Sequence, residues 1–301
     1  MLMLGLLAPG ARAQKPTPDL AEVKYGPRER NVLDLWQANS ATPTPLVVYI
    51  HGGGFSNGSK ERISEALIKR CLKAGISVMS INYRLSPEVQ FPAHYMDCAR
   101  AIQFARAHAK EWNIDPQRLA ATGSSAGAGT ALWIGFHDDF ADPRNSDPVL
   151  RESTRLVCMA VTAAQCTYDP RTIREWIGGP AASHQALQRF YGLKADEVNT
   201  PKAYQLYEAA APINLVTADD PPVLLFYSEA NEPVPPDAKR GTGIHHPIFG
   251  RKLKEKMDSL NIECATKHQS DYSKTGGSLH DDMLKFFVKY LKPTPGPKPS
   301  Q

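Results

Sequence analysis

Short apolar runs rich in β-branched residues alternate along this chain with longer stretches whose apolar positions recur at helical spacing. The runs fall at Leu46 to Ile50, Ser77 to Tyr83, Arg118 to Thr122, Arg155 to Ala163, Val223 to Tyr227 and Ile262 to His268. The helical patterns fall at about Glu61 to Lys73, Ala93 to Trp112, Ala128 to Phe136, Phe249 to Ser259 and Asp281 to Lys292. Alternation of this kind predicts βαβ units and a mostly parallel sheet, and unbroken apolar strands mean that helices cover both of its faces. Val32, Leu33 and Leu35 flank Asp34 in a stretch from Glu22 to Trp36 that reads as an antiparallel edge pair. Between Pro170 and Val216 a helix-like, Gly- and Pro-interrupted region (170–216) reads as a small cap over the C-terminal edge of the sheet. No internal repeat is evident.

The ends read differently. Residues 1–13, MLMLGLLAPGARA, carry an apolar run from Leu2 to Ala8 and small residues at Ala11 and Ala13, the pattern a signal peptidase pocket admits. They predict a signal peptide and an exported, periplasmic or secreted protein. Gln14 to Asp19 and the C-terminal KPTPGPKPSQ are Pro-rich and polar, so both read as tails, with 293–301 disordered and one domain spanning 20–292. No later run reaches the roughly 18 apolar residues needed to span a bilayer.

Composition narrows the classes. With 301 residues, 42% of them hydrophobic and 22% charged, the chain can bury one large core. The net charge of +4 comes from 35 basic and 31 acidic residues, and part of the excess sits in the C-terminal tail (Lys292, Lys298) rather than on one face, which does not imply nucleic acid. Five scattered cysteines with no C-x-x-C spacing suggest neither a zinc site nor a disulfide framework. Cys71, Cys98 and Cys158 fall on apolar stripes or in a strand, where a thiol packs as a small hydrophobe.

The chemistry begins at Gly123-Ser124-Ser125-Ala126-Gly127, a G-x-S-x-G lying between a β-rich run and a helical pattern. The turn is so tight that the residues two before and two after the serine must be small, and its reward is an exposed Ser125 Oγ at a helix N-terminus. His51-Gly52-Gly53-Gly54-Phe55 follows directly on an earlier strand, where successive glycines let main-chain N–H groups approach a substrate oxygen. Gly53, Gly54 and Ala126 are the expected oxyanion-hole donors, and His51 is expected to fix the turn. A phosphate cradle would need a Lys-Ser/Thr ending or G-x-G-x-x-G, and neither is present.

HGGGF, then SINYRLSPEVQFPAHYMDCARAI, then NIDPQRLAATGSSAG stand in linked order, and together they resemble the hormone-sensitive-lipase-like and feruloyl-esterase-like branch of the α/β-hydrolases. The likeness is dense over Thr44 to Gly135 and looser elsewhere. It implies an α/β-hydrolase fold and a serine esterase that cuts short-chain or carbohydrate-linked acyl groups through an acyl-enzyme, without metal or organic cofactor. It also implies that Tyr83-Arg84-Leu85, Pro87 and Glu88 form a structural turn and that Asp97 supports the fold. The partner is then a small-molecule or carbohydrate ester.

A general base is expected in the loop between the last strand and the last helix, where His280 stands. His268 falls inside the preceding strand. His245 and His246 lie in a long polar loop with Gly241-Thr242-Gly243 and either line the pocket or pack that loop, packing being the favoured reading. The acid departs from the family pattern, since aligning the Val-Pro of Glu232-Pro233-Val234-Pro235 puts Asn231 where an Asp belongs. Glu232 is the first choice, with Glu229, Asp169 and Asn231 as rivals. Tyr168, Trp176 and Phe190 are candidates for an aromatic wall or for the core of the cap, and Arg171 and Arg174 are expected to be solvated. Two other readings stay open: an exo- or oligopeptidase on the same fold, and a catalytically silent binding module.

Overall fold

The computed structural model describes residues 15–275 and 277–293. The expected leader and nearly all of the expected C-terminal tail lie outside the described residues. In chain order the elements are β1 (Leu20–Lys24), β2 (Val32–Trp36), β3 (Thr44–Ile50), α1 (Glu65–Lys73), β4 (Ser77–Ile81), α2 (Ala93–Ala107), β5 (Ile114–Ser124) and α3 (Ala126–Phe136). Then come β6 (Met159–Thr162), α4 (Pro170–Trp176), α5 (Gln185–Tyr191), α6 (Pro201–Ala210), α7 (Pro212–Leu215), β7 (Val223–Tyr227), α8 (Ile248–Asp258), β8 (Cys264–His268), α9 (Gln269–Thr275) and α10 (Leu279–Leu291).

The strands form one sheet in the order β1-β2-β4-β3-β5-β6-β7-β8, with β1 and β2 antiparallel and β4 through β8 parallel. This is the α/β-hydrolase arrangement. Period-two alternation sends Leu46, Val48, Ile50, Leu119, Ala121, Met159 and Val161 to one face, against α2, α3 and α8. Val47, Val78, Ala120, Ala160 and Leu224 face the other way, against α1 and α10. Both faces are covered, which is why these strands read as unbroken apolar runs. Fully burying each such Val, Leu or Ile contributes roughly 1.5–3 kcal/mol.

Several expected boundaries move. The helix expected from Glu61 begins instead as a 3-10 turn, Lys60–Arg62, because buried Lys60 turns inward to Asp34 Oδ2 at 2.8 Å and pairs also with Glu22 and Glu61. Helix α2 stops at Ala107, with Phe104, His108 and Trp112 stacked across the following turn. Residues 15–19 are not a free tail: the Trp36 indole donates to Pro16 O (2.8 Å) and Asp19 Oδ2 accepts from Gln37 N (2.7 Å). All five cysteines are buried and free. Among the described residues no helix is long and apolar enough to cross a membrane.

Register positions the site. Parallel pairing sets Ile50 beside Gly123 and Ser124 beside Thr162, so the loop after β3 leaves the sheet next to the β5–α3 turn. The stretch expected as a cap carries α4 to α7. The turn expected to be structural is buttressed by Asp97, which accepts Arg84 N and grips the Arg84 guanidinium at 2.6 and 2.8 Å.

Candidate active site

Ser125 sits between β5 and α3 at φ 53° and ψ −121°, a left-handed conformation that a non-glycine residue adopts only under constraint. The constraint is close packing of backbone. A Cβ on Gly127 would lie 2.0 Å from Ile50 O, one on Gly123 2.6 Å from the same oxygen, and one on Gly52 2.6 Å from Ser124 O. Only glycine admits that approach, and it thrusts the serine side chain out over the strand ends.

The loop after β3 keeps its own left-handed run, with Gly53 at φ 124°, Gly54 at 58° and Phe55 at 60°. A Cβ on Gly53 would lie 2.0 Å from Asn57 O. His51 anchors this loop from beneath: it stacks on Tyr83 with ring centroids 4.3 Å apart, and its Nδ1–H donates to Gly52 O at 2.8 Å. Burial pushes its pKa down to about 4, so the ring is neutral and structural. Arg30 braces the same loop, donating to Tyr83 O (2.7 Å) and Gly58 O (2.9 Å).

The side chain that meets Ser125 is His245. Its Nε2 lies 2.8 Å from Ser125 Oγ. It comes from the loop between β7 and α8, and not from the segment after β8. Glu229, two residues past β7, straps that loop down: one carboxylate oxygen accepts from Gly243 N and the other from His245 N at 2.8 Å. His268, at the end of β8, donates from Nε2 to the Glu229 carbonyl at 2.9 Å. Burial holds the His245 pKa below the ordinary histidine value; the Glu229 carboxylate pulls it up and nearby His184 pushes it down.

The other expected residues are placed elsewhere. His280 is in the first turn of α10 behind its Ser278 cap, near Arg70 and Asp281, because α9 intervenes after β8 and carries the histidine to the α1 side. It does not line the cavity that holds Ser125. Glu232 is exposed and meets the histidine pair only through its carbonyl, which accepts from His246 Nε2 at 2.9 Å. The Asn231 side chain accepts from Arg251 at 3.3 Å. Asp169 caps α4 and binds the Arg171 guanidinium, which lies 3.9 Å over the Tyr204 ring while its side chain stays 40% exposed. Of the four candidates weighed, three acids and the amide Asn231, only Glu229 touches His245, and it does so through the main-chain N–H. His246 packs the loop, the favoured reading, whereas His245 takes the other course and lines the pocket.

Ser125, Ala126, Gly53, Gly54 and His245 line one cavity of about 890 Å³. Its wall includes Tyr168 and Phe190, the latter stacked on Phe55 at 4.2 Å; Trp176 is not part of it. A hydroxyl hydrogen-bonded to a neutral imidazole beside free helix N-terminal N–H groups can attack an electrophilic carbonyl. The one sequence signal for His245 was its setting, GTGIHHP, where Gly241 (φ 91°) and Gly243 (φ 88°) let the loop fold back over the strand ends.

Comparison with known proteins agrees with this architecture. The family model described as BD-FAE matches residues 33–240, a span that ends just before His245. Esterase LipQ of Mycobacterium tuberculosis is 28% identical over 222 residues, covering 71% of this chain and 49% of the relative. The probable carboxylic ester hydrolase LipM of the same organism is 28% identical over 226 residues, covering 73% and 50%. The chain thus spans about half the length of these curated relatives. Among solved structures, a truncated carbohydrate esterase from gut microbiota superposes with a TM-score of 0.71 at 20% identity, covering 91% of this chain and 96% of that one. A propionate-bound esterase, Est2 of Thermogutta terrifontis, gives 0.64 at 20% identity, covering 90% and 93%.

Proposed function

The chain belongs to the BD-FAE family, and from that footing we propose that it is a serine hydrolase of carboxylic esters with Ser125 as nucleophile and His245 as general base. The observation that carries this reading is the 2.8 Å contact between Ser125 Oγ and His245 Nε2 inside a cavity floored by the glycine loop.

Ser125 Oγ attacks the ester carbonyl carbon as its proton passes to His245 Nε2. The carbonyl π pair moves onto oxygen, where the N–H groups of Gly53, Gly54 and Ala126 receive the charge. Collapse breaks the bond to the alcohol oxygen, His245 returns the proton to that oxygen, and the acyl group stays on Ser125. Water, deprotonated by the same imidazole, then releases the acid and restores the serine. Glu229 serves as the positioning acid: it fixes the backbone of the histidine loop and stabilises the imidazolium through space.

Cavity size and the carbohydrate esterase among its structural neighbours support short-chain or carbohydrate-linked acyl groups as substrates. Purified protein is expected to turn over p-nitrophenyl acetate and to be labelled at Ser125 by a fluorophosphonate, with both lost in Ser125→Ala. Folded wild-type protein that does neither would make it the catalytically silent member.

A further inference from the structure

Three arginines from three separate segments line the Ser125 cavity: Arg62 from the 3-10 turn before α1, Arg189 from α5, and Arg240 from the loop between β7 and α8. No aspartate or glutamate lines it with them. That imbalance is local, because the whole chain is nearly balanced at 35 basic to 31 acidic residues. Five arginines elsewhere, Arg70, Arg84, Arg100, Arg118 and Arg171, each hold an aspartate within 3.0 Å. Among the described residues, Arg62, Arg189 and Arg240 take part in no ion pair.

Two acids close to these segments in sequence or in the same loop are engaged elsewhere. Glu61, adjacent to Arg62 in sequence, pairs with Lys60, and Glu229 spends its carboxylate on Gly243 N and His245 N. Arg62 donates to Asn57 Oδ1 at 3.2 Å, which holds it near the glycine loop, and Arg240 is close enough to His184 of the cavity wall to depress its pKa. All three side chains are exposed at the cavity wall, where guanidinium groups without a carboxylate partner are free to bind an entering anion.

Resting on the esterase reading above, we propose that this enzyme acts on esters whose portion remote from the scissile carbonyl carries a negative charge, with Arg62, Arg189 and Arg240 as its anion subsite. The shared chemistry is a planar or tetrahedral oxyanion, such as a carboxylate or a sulfate on the alcohol half.

The test compares 4-acetoxybenzoate with neutral 4-acetoxybenzamide, each kcat/KM divided by the ester's own hydroxide-catalysed rate. The anionic ester is expected to be preferred by roughly tenfold or more. The preference should shrink several-fold in about 0.5 M NaCl, since exposed charges are screened within a few ångströms there. It should fall towards unity in the triple variant Arg62→Gln, Arg189→Gln, Arg240→Gln, whose circular dichroism and melting reports its folding. A third ester, 4-acetoxybenzenesulfonate, separates the sources: a carboxylate preference assigns an acidic-sugar type of group, and a sulfonate preference a sulfated one. Equal turnover of charged and neutral esters, or a preference that survives the triple substitution, overturns the proposal while leaving the esterase intact. Turnover of neither ester overturns the esterase reading itself.

Discussion

Glu229 and His245 are joined through the main chain: the carboxylate of one accepts the backbone N–H of the other at 2.8 Å, while the imidazole that this N–H carries reaches Ser125. The acid therefore sets where the base stands before it influences how readily the base is charged.

Replacing the base separates the two histidines that compete for the role. His245→Ala is expected to lower kcat on an acetyl ester by roughly 10³-fold or more, the range typical of losing a triad member. His280→Ala, on the α1 side of the sheet, is expected to stay within about threefold of wild type. The reverse pattern in steady-state kinetics would return the base to the segment after β8.

Removing the strap carries a signature beyond a slower rate. Glu229→Gln is expected to cost roughly 10- to 100-fold in kcat/KM, as for residues that orient a catalytic group. Glu229 raises the His245 pKa, so its loss moves that pKa further down. The acid limb of the pH–rate profile, already below the ordinary histidine value through burial, should then shift to lower pH in the variant. An unmoved limb would show that Glu229 acts on position alone.

Two buried histidines make stability depend on mild acid. His51 and His94 are both pushed down to about 4 by burial, whereas in the unfolded chain they titrate near the usual 6.5. Between those values the unfolded chain binds more protons, so stability is full above about pH 6.5 and is lost as pH falls to about 4, by roughly 3 kcal/mol per histidine. Denaturant midpoints measured across that window should fall, and His94→Gln should flatten the fall.

The elbow tolerates no side chain at its rear. In Gly127→Ala the new methyl would sit 2.0 Å from Ile50 O, a backbone atom of the central strand that cannot step aside. We expect about 3 kcal/mol or more of destabilisation from this overpacking. Thermal melts on Gly127→Ala beside an exposed control such as Lys110→Ala would show it.

What could be read from the chain follows from the range of the forces involved. The gathering of Ser125, Gly53, Gly54 and Ala126 at one cavity was legible because their constraint is local: two glycine-rich turns after apolar strands leave the backbone few alternatives. The sheet was legible for the same reason, through period-two alternation. The base was not. Ser125 and His245 stand 120 residues apart, and what joins them is a loop whose path depends on a carboxylate strap and two left-handed glycines. His280 fitted the usual order of elements, but the short helix after β8 and the Ser278 cap rotate it away. Aligning Val-Pro pointed to Glu232, whereas the carboxylate that meets the histidine loop lies nearer the strand, at Glu229, where it binds main chain that no motif describes.

The His268 hydrogen bond to the Glu229 carbonyl has a bearing on biosynthesis. The nucleophile, the glycine loop and the imidazole are all synthesised before β8 leaves the ribosome, yet the strand that pins Glu229, and through it the histidine loop, comes after them. A nascent chain halted short of residue 264 holds Ser125, His245 and the Glu229 strap, but not the His268 hydrogen bond that braces the Glu229 carbonyl. On the proposed function, full labelling of Ser125 during translation is expected only once this last parallel strand is in place, which would make that labelling a clock for the closing of the sheet.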